Sequence, residues 1–384
     1  MNVPTENLCN KLREVVNSTN IFYEDEVEKK NYNYICAMMD RVDDSMGHLL
    51  ACTDLPETSD ELLLILIHAC IVVDAIKRLF EKLGLNYNLV EHGLPRYLGS
   101  ICKAPPFEFS DEHIPSDDDI FKYIRSISFA HPLDTSWGRL MNRIKDCHCS
   151  PFVVVHKGFC KEGCVGVHVY SGNTSASFTI NIPYADLMAY VFERYELIQY
   201  LADELERRIR NKEDMWRRRT VKRELGDPVL VLDDILSIMT ERYQSTYDVA
   251  MLKSLLTYPY TNRNNDKAVA KVQQVALSII SDICDAIDEM DGEKLYDALD
   301  KVLYVRPKKM HQMAYYQLEK IFSYLNDRAS PSDKRWGLMQ ADEFAKEFAK
   351  NWVEIDVRTM ECEEIKLLTI VACFLEAQKQ EQNS

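Results

Sequence analysis

"PFVVVHKGFCKEGCVGVHVYSGNTSASFTINIP", residues 151–183, is the stretch on which the fold class turns. Within it "PFVVVHKG", "CVGVHVYSG" and "SFTINIP" are short, β-branched and roughly alternating, and "SGNTS" separates the last two as a turn. That texture predicts three antiparallel strands between about Pro151 and Pro183.

On both sides the apolar period is helical. "YNYICAMMDRVDDSMGHLL" places apolar residues three and four apart. "PETSDELLLILIHACIVVDAIKRLFEKLG" opens with a capping box, Thr58 and Glu61, and stops at Gly84. "SDDDIFKYIRSISFAHPLDTSW" takes Ser116 as N-cap, with Asp117, Asp118 and Asp119 favoured by the helix dipole and an apolar stripe of Ile120, Ile124 and Ile127. Pro132 disfavours helical geometry at His131, so the helix ends or kinks there, and "DTSWGRLMNRIKD" resumes as a further helix. Helical pattern returns after Pro183 and, from Asp227, fills nearly all the rest of the chain. The expected fold is mainly α: an N-terminal helical bundle over 1–146, a small central antiparallel β-meander over 147–184, and a C-terminal all-helical region over 185–384.

The 384 residues are 46% hydrophobic and 28% charged, an ordinary globular balance. "MNVPTENLCNKLREVV" lacks the positive start and apolar run of a secretory signal. The most apolar stretch, Leu62 to Ile76, is shorter than the roughly 20 residues of a membrane helix and contains His68 and Asp74. With twelve cysteines read as reduced thiols, the expectation is a cytoplasmic protein with no membrane partner. The net charge of -15 is uneven: -12 over residues 1–120, +5 over 121–225 and -8 over the remainder. A surface that binds nucleic acid needs cations, which by this count only the middle third supplies. P-loop (G-x-x-x-x-G-K-S/T), dinucleotide (G-x-G-x-x-G), zincin (H-E-x-x-H) and nucleophile-elbow (G-x-S-x-G) signatures do not occur.

An arginine followed by a histidine after four to six residues occurs at Arg41…His48, Arg125…His131, Arg143…His148 and Arg306…His311. Context separates them. Arg41 lies in an acidic helix, Arg143 runs into a Cys-rich turn and Pro307 follows Arg306, whereas Arg125…His131 closes the last long helix of the N-terminal bundle. The Arg125…His131 segment resembles the signature of the HEPN-domain ribonuclease superfamily, over residues 20–146 at most. The resemblance implies a metal-independent RNA endonuclease of toxin–antitoxin or phage-defence type. Its partners would be RNA and a protein such as an antitoxin, it would act as a homodimer, and it would need no cofactor. Arg125 would neutralise the scissile phosphate, His131 would serve as general acid/base, and Ser126 would be a polar auxiliary where the family often has Asn, Asp or His. The chemistry suits the residues, because 2′-OH attack needs a base near neutrality and a cation at the phosphate. On an ideal helix the two side chains lie about 120° apart, so a kink at Pro132 or a second copy must bring them together. The alternative makes Arg125 the partner of Asp118 or Asp119 and His131 a helix cap, in a non-catalytic helical interaction or adaptor protein whose acidic surface meets a protein partner.

Two further clusters carry chemistry. Cys147, Cys149, Cys160 and Cys164, with His148 and His156, have the donors of a zinc site, although C-x-C is tight for one; free thiols are the preferred reading, and no metal is assigned. "RRIRNKEDMWRRRTVKR", Arg207 to Arg223, holds nine cations against two acids. Arg207, Arg208, Arg210, Arg217, Arg218 and Arg219 with Trp216 as a stacking platform would form a nucleic-acid-binding strip, or else a solvated helix end and linker.

Overall fold

The computed structural model describes residues 4–87, 95–105, 107, 109, 114–135, 147–156, 158–172 and 176–383. It is mainly α with one small sheet. The chain divides into two compact units, residues 1–210 and 211–384.

The N-terminal unit begins with α1 (Leu8–Asn17) and the short α2 (Ile21–Glu24). An antiparallel pair follows, α3 (Lys29–Ala51) and α4 (Ser59–Lys82), then α5 (Gly99–Lys103) and α6 (Asp117–Arg125). The capping box forms as expected: Thr58 Oγ1 accepts from the Glu61 amide at 3.2 Å, and Glu61 Oε2 accepts from the Thr58 amide at 3.3 Å. Leu62, Ile65, Leu66, Ala69, Val72 and Ile76 bury one stripe of α4. Gly84 stops the chain beyond α4 with φ +66, a left-handed backbone that only glycine adopts without strain. Ser116 caps α6, its Oγ accepting from the Asp119 amide at 3.2 Å. The helix expected to resume over residues 136–146 lies outside the described residues.

The sheet is antiparallel in the order β1 (His148–Val154), β2 (Cys164–Ser171), β3 (Ser177–Pro183). Phe152 stands opposite His168, and His168 opposite Thr179, with a bulge between Cys149 and Phe152. Val165, Val167, Val169, Ile180 and Ile182 form its buried face. The Ser59 hydroxyl donates to the Val153 carbonyl at 3.1 Å and ties the sheet to α4.

Helix α7 (Tyr184–Arg217) follows directly, and the division between the units falls within it. Its earlier part buries Leu187, Met188, Tyr190, Val191 and Phe192, while Tyr195 Oη accepts from the Leu8 amide at 2.8 Å. These contacts hold the sheet and most of α7 in the N-terminal unit. The segment boundaries expected at 146/147 and 184/185 therefore lie inside that unit.

The regular elements among the described residues of the C-terminal unit are helices: α8 (Pro228–Glu241), α9 (Tyr247–Thr257), α10 (Asp266–Ser278), α11 (Ile280–Glu289), α12 (Gly292–Asp300), α13 (Ala314–Tyr324), α14 (Pro331–Glu347) and α15 (Cys362–Gln382). Helix α15 is buried on all sides from Glu364 to Leu375 because it runs through this unit's core. Among the described residues no helix is long and apolar enough to cross a membrane.

Candidate functional site

Helix α6 does not stop cleanly at Arg125. The backbone widens into a single π-helical turn, Ser126–Ala130, closed by the His131 amide donating to the Ser126 carbonyl at 2.8 Å. Such turns are rare and concentrate at functional sites. His131 then leaves the helix with φ -143 and ψ 56. Pro132 enforces that exit, as expected from its ring. The exit is pinned on the far side: Thr135 Oγ1 donates to the His131 carbonyl at 2.6 Å, and the Ser150 amide to the Pro132 carbonyl at 2.6 Å. The His131 imidazole is exposed. The Ser126 hydroxyl lies 3.2 Å from Thr135 Oγ1, so it supports the turn.

Arg125 points towards α4. Its Nη1 donates to Asp74 Oδ2 at 2.9 Å, with the two side chains 37% and 53% exposed. Neither Asp118 nor Asp119 is its partner. Asp118 turns inward, its Oδ1 accepting from Tyr190 Oη at 2.7 Å and Arg194 Nε at 2.9 Å. Asp119 accepts from the Ser116 hydroxyl at 3.1 Å. The third acid of the run, Asp117, accepts from the amides of Arg96, Tyr97 and Leu98 at 2.6–3.2 Å and anchors that loop.

Arg125 and Phe129 line a groove of about 550 Å³ with α3 and α4. Its apolar part is Met38, Ile67 and Ile71; its polar part is Arg41, Arg78, Arg125 and Asp74, with Tyr34 at one side. Arg78 reaches Glu81 at 2.7 Å, whereas Arg41 has no carboxylate within ion-pair distance among the described residues. Two arginines of the acidic first third, Arg41 and Arg78, thus line the same groove as Arg125, where charge counting placed cations only in the middle third. Burial and the neighbouring Asp74 carboxylate push the Cys70 thiol on the groove wall up to about 12, so it stays protonated. His131 does not line the groove. One copy of the chain therefore places Arg125 in the groove and His131 on the surface beyond the π turn.

The other candidates are placed elsewhere. His148 is buried, its Nδ1 2.7 Å from Tyr123 Oη, and belongs to the core. The sheet register sets Cys149 opposite Tyr170 and Cys164 opposite Pro183, so the hairpin separates these thiols. Cys147 Sγ approaches Asp134 Oδ1 at 2.9 Å and Cys160 Sγ the Val154 carbonyl at 3.6 Å. Among the described residues no group of three or more His, Cys, Asp or Glu is arranged to hold a metal ion.

The basic run is largely neutralised. Arg207 and Arg208 meet Glu204 at 2.6 and 3.4 Å, Arg210 meets Glu206 at 3.9 Å and Arg217 meets Asp214 at 3.2 Å. Arg219 pairs with Glu241 and, at 3.5 Å, with Asp234; Arg218 alone of the six extends into solvent without a carboxylate among the described residues. Trp216 is buried, edge-on to Tyr243 at 5.9 Å, and offers no open face for a base.

Sequence reasoning set Arg41 aside for its acidic helix and missed Asp74 and Arg78. The signal was present as a second stripe on α4, Ile67, Ile71, Asp74 and Arg78, spaced by four, three and four residues beside the core stripe.

Comparison of the chain with protein-family models, with curated proteins and with solved structures finds no match.

Proposed function

We propose that the protein is a metal-independent RNA endonuclease of the toxin or phage-defence kind. The observation that carries this reading is the groove lined by Arg41, Arg78 and Arg125, next to a π turn that ends at an exposed histidine. Guanidiniums suit a phosphodiester because their planar donors match its oxygens and stay charged at any working pH. In this reading Arg125 exchanges Asp74 for the scissile phosphate and stabilises the charge that develops there. His131 takes the 2′-OH proton and returns one to the 5′ oxygen that leaves. Because Arg125 and His131 face different surroundings in one copy, the reacting groups come from two copies, and a homodimer is part of the proposal. His and Arg supply proton transfer and charge neutralisation themselves, so activity should persist in a chelator. The test is incubation of total RNA with the purified chain, with and without EDTA, beside Arg125→Ala and His131→Ala. Cleavage by the wild type alone, unaffected by EDTA, supports the reading; equal cleavage by all three, or none by any, removes it.

A second reading, a non-catalytic interaction protein, is favoured by a separate feature of the C-terminal unit. An open cleft of about 1300 Å³ there is lined by Tyr247, Tyr304, Tyr315, Phe322, Arg306 and Arg328. Arg306 lies over the Phe322 ring, 5.9 Å from its centroid, and has no carboxylate within ion-pair distance among the described residues. Tyrosines with an arginine are the residues that anchor protein partners. Retention of a co-purifying protein by the wild type and its loss in Arg306→Ala would support this reading.

A further inference from the structure

An antiparallel sheet with one face on the core ordinarily turns polar side chains outward. This one turns rings outward. Phe152 on β1 and Tyr170 on β2 are 47% and 45% exposed, and Phe159 in the β1–β2 connection is 57% exposed. His168 sits among them, parallel to Phe152 at 5.4 Å and edge-on to Tyr170 at 5.3 Å and Phe159 at 6.4 Å. The rings are held in place. His168 Nδ1 lies 3.1 Å from Thr179 Oγ1 on β3, and the Lys161 amide donates to Asn181 Oδ1 at 2.8 Å, fastening the connection that carries Phe159. Gly166 makes room for that connection, since a Cβ there would stand 2.7 Å from Cys160 Sγ and 2.9 Å from the Ile180 carbonyl.

We propose that this outward face of β1–β3 is a stacking platform for the bases of single-stranded RNA. Neighbouring strands space side chains by about 4.8 Å, which suits successive unstacked bases. Aromatic rings hold such bases whatever their sequence, because every base has a π face. Charge favours the same occupant. The chain carries -15 overall, yet no outward strand position of this sheet is acidic, and the adjoining connection holds Lys161 beside the single acid Glu162. A phosphate backbone therefore meets little repulsion here. The proposal rests on the RNA reading above and adds a second contact region within the N-terminal unit, one that grips bases where the Arg125 groove grips phosphate.

The test uses the full chain and a short fluorescein-labelled 2′-O-methyl oligouridine, whose blocked 2′ oxygens cannot attack, so binding is read without cleavage. Fluorescence anisotropy should show Phe152→Ala and Tyr170→Ala each weakening binding about tenfold, the loss expected for one stacked base. Tyr170→Phe keeps the ring and should bind as the wild type does, with all variants melting together. Alanine variants that bind like the wild type, or a wild type that does not bind the probe, overturn the platform. Failure of the cleavage reading appears separately: Arg125→Ala and His131→Ala are scored on unmodified RNA. A chain that binds the probe through these rings yet cuts nothing keeps the platform and loses the nuclease.

Discussion

Arg125 and Asp74 form an ion pair of 2.9 Å across 51 residues of sequence, joining the end of α6 to the middle of α4. In the proposed reading, Asp74 stands where the scissile phosphate would bind Arg125. Both side chains are substantially exposed, and exposed pairs contribute about 0–1 kcal/mol. Arg125→Ala and His131→Ala should therefore leave the melting temperature within about 2 °C of the wild type while removing RNA cleavage. Asp74→Asn should do the opposite to binding, freeing the guanidinium and tightening RNA several-fold in a filter-binding assay. A loss of affinity in Asp74→Asn would show that Asp74 positions Arg125 and does not compete for it.

Asp118 should behave differently, although it stands in the same acidic run. Its side chain is 11% exposed and faces Arg194, which is 4% exposed. Asp118→Ala would leave the buried guanidinium with Glu193 alone, at 3.4 Å, and should cost about 3 kcal/mol in urea denaturation. Asp119→Ala, whose carboxylate only accepts from Ser116 near the helix start, should cost less than about 1 kcal/mol.

Stability should fall in mild acid through α3 and α4. The His48 and His68 rings stack with centroids 4.2 Å apart, and the Ser45 hydroxyl lies 3.2 Å from His68 Nδ1. Burial, then the charges of His48 and Arg41, lowers the pKa of His68 below 6.5, against an opposing pull from Asp44. The unfolded chain then binds more protons than the folded one in that range. The contribution is complete above about 6.5 and is lost as pH falls towards the depressed folded value. Melting temperature followed over this range should decline less steeply for His68→Gln than for the wild type.

Charge reversal in the basic run should disturb folding more than RNA binding. Arg219→Glu would face Asp234 and Glu241 with a third carboxylate, costing about 1 kcal/mol or more. Arg218→Glu, with no partner to lose, should leave the melting temperature unchanged. A flattened salt dependence of RNA binding in Arg219→Glu would return this strip to the interface.

Thiol reactivity should sort the cysteines. Burial pushes Cys9, Cys70, Cys102 and Cys373 up to about 12. These four should resist iodoacetamide at pH 8 until the chain is unfolded, because only the thiolate reacts. Cys149, partly exposed in β1, should be alkylated in the native protein, as peptide mass mapping would show.

The sequence by itself determined the elements. Period, caps and breakers are local, so the α4 capping box, the Ser116 cap, the end of helix at Pro132 and the three strands could be read before any contact was known. The same locality made Arg125…His131 stand out from the other Arg…His spacings. Tertiary structure decided what each side chain faces. Asp117, Asp118 and Asp119 are adjacent and chemically alike, yet one anchors a loop, one neutralises a buried arginine and one stays beside its cap, because a helix turns successive residues through about 100°. Arg41, Arg78 and Arg125 come from three helices and line one groove only when α3, α4 and α6 pack. The basic run reads as a cationic strip along the chain, but carboxylates from α8 and from α7 itself consume it. Which rings reach solvent was likewise set by strand register: a shift of one residue would bury His168 and Tyr170 and expose Val167 and Val169.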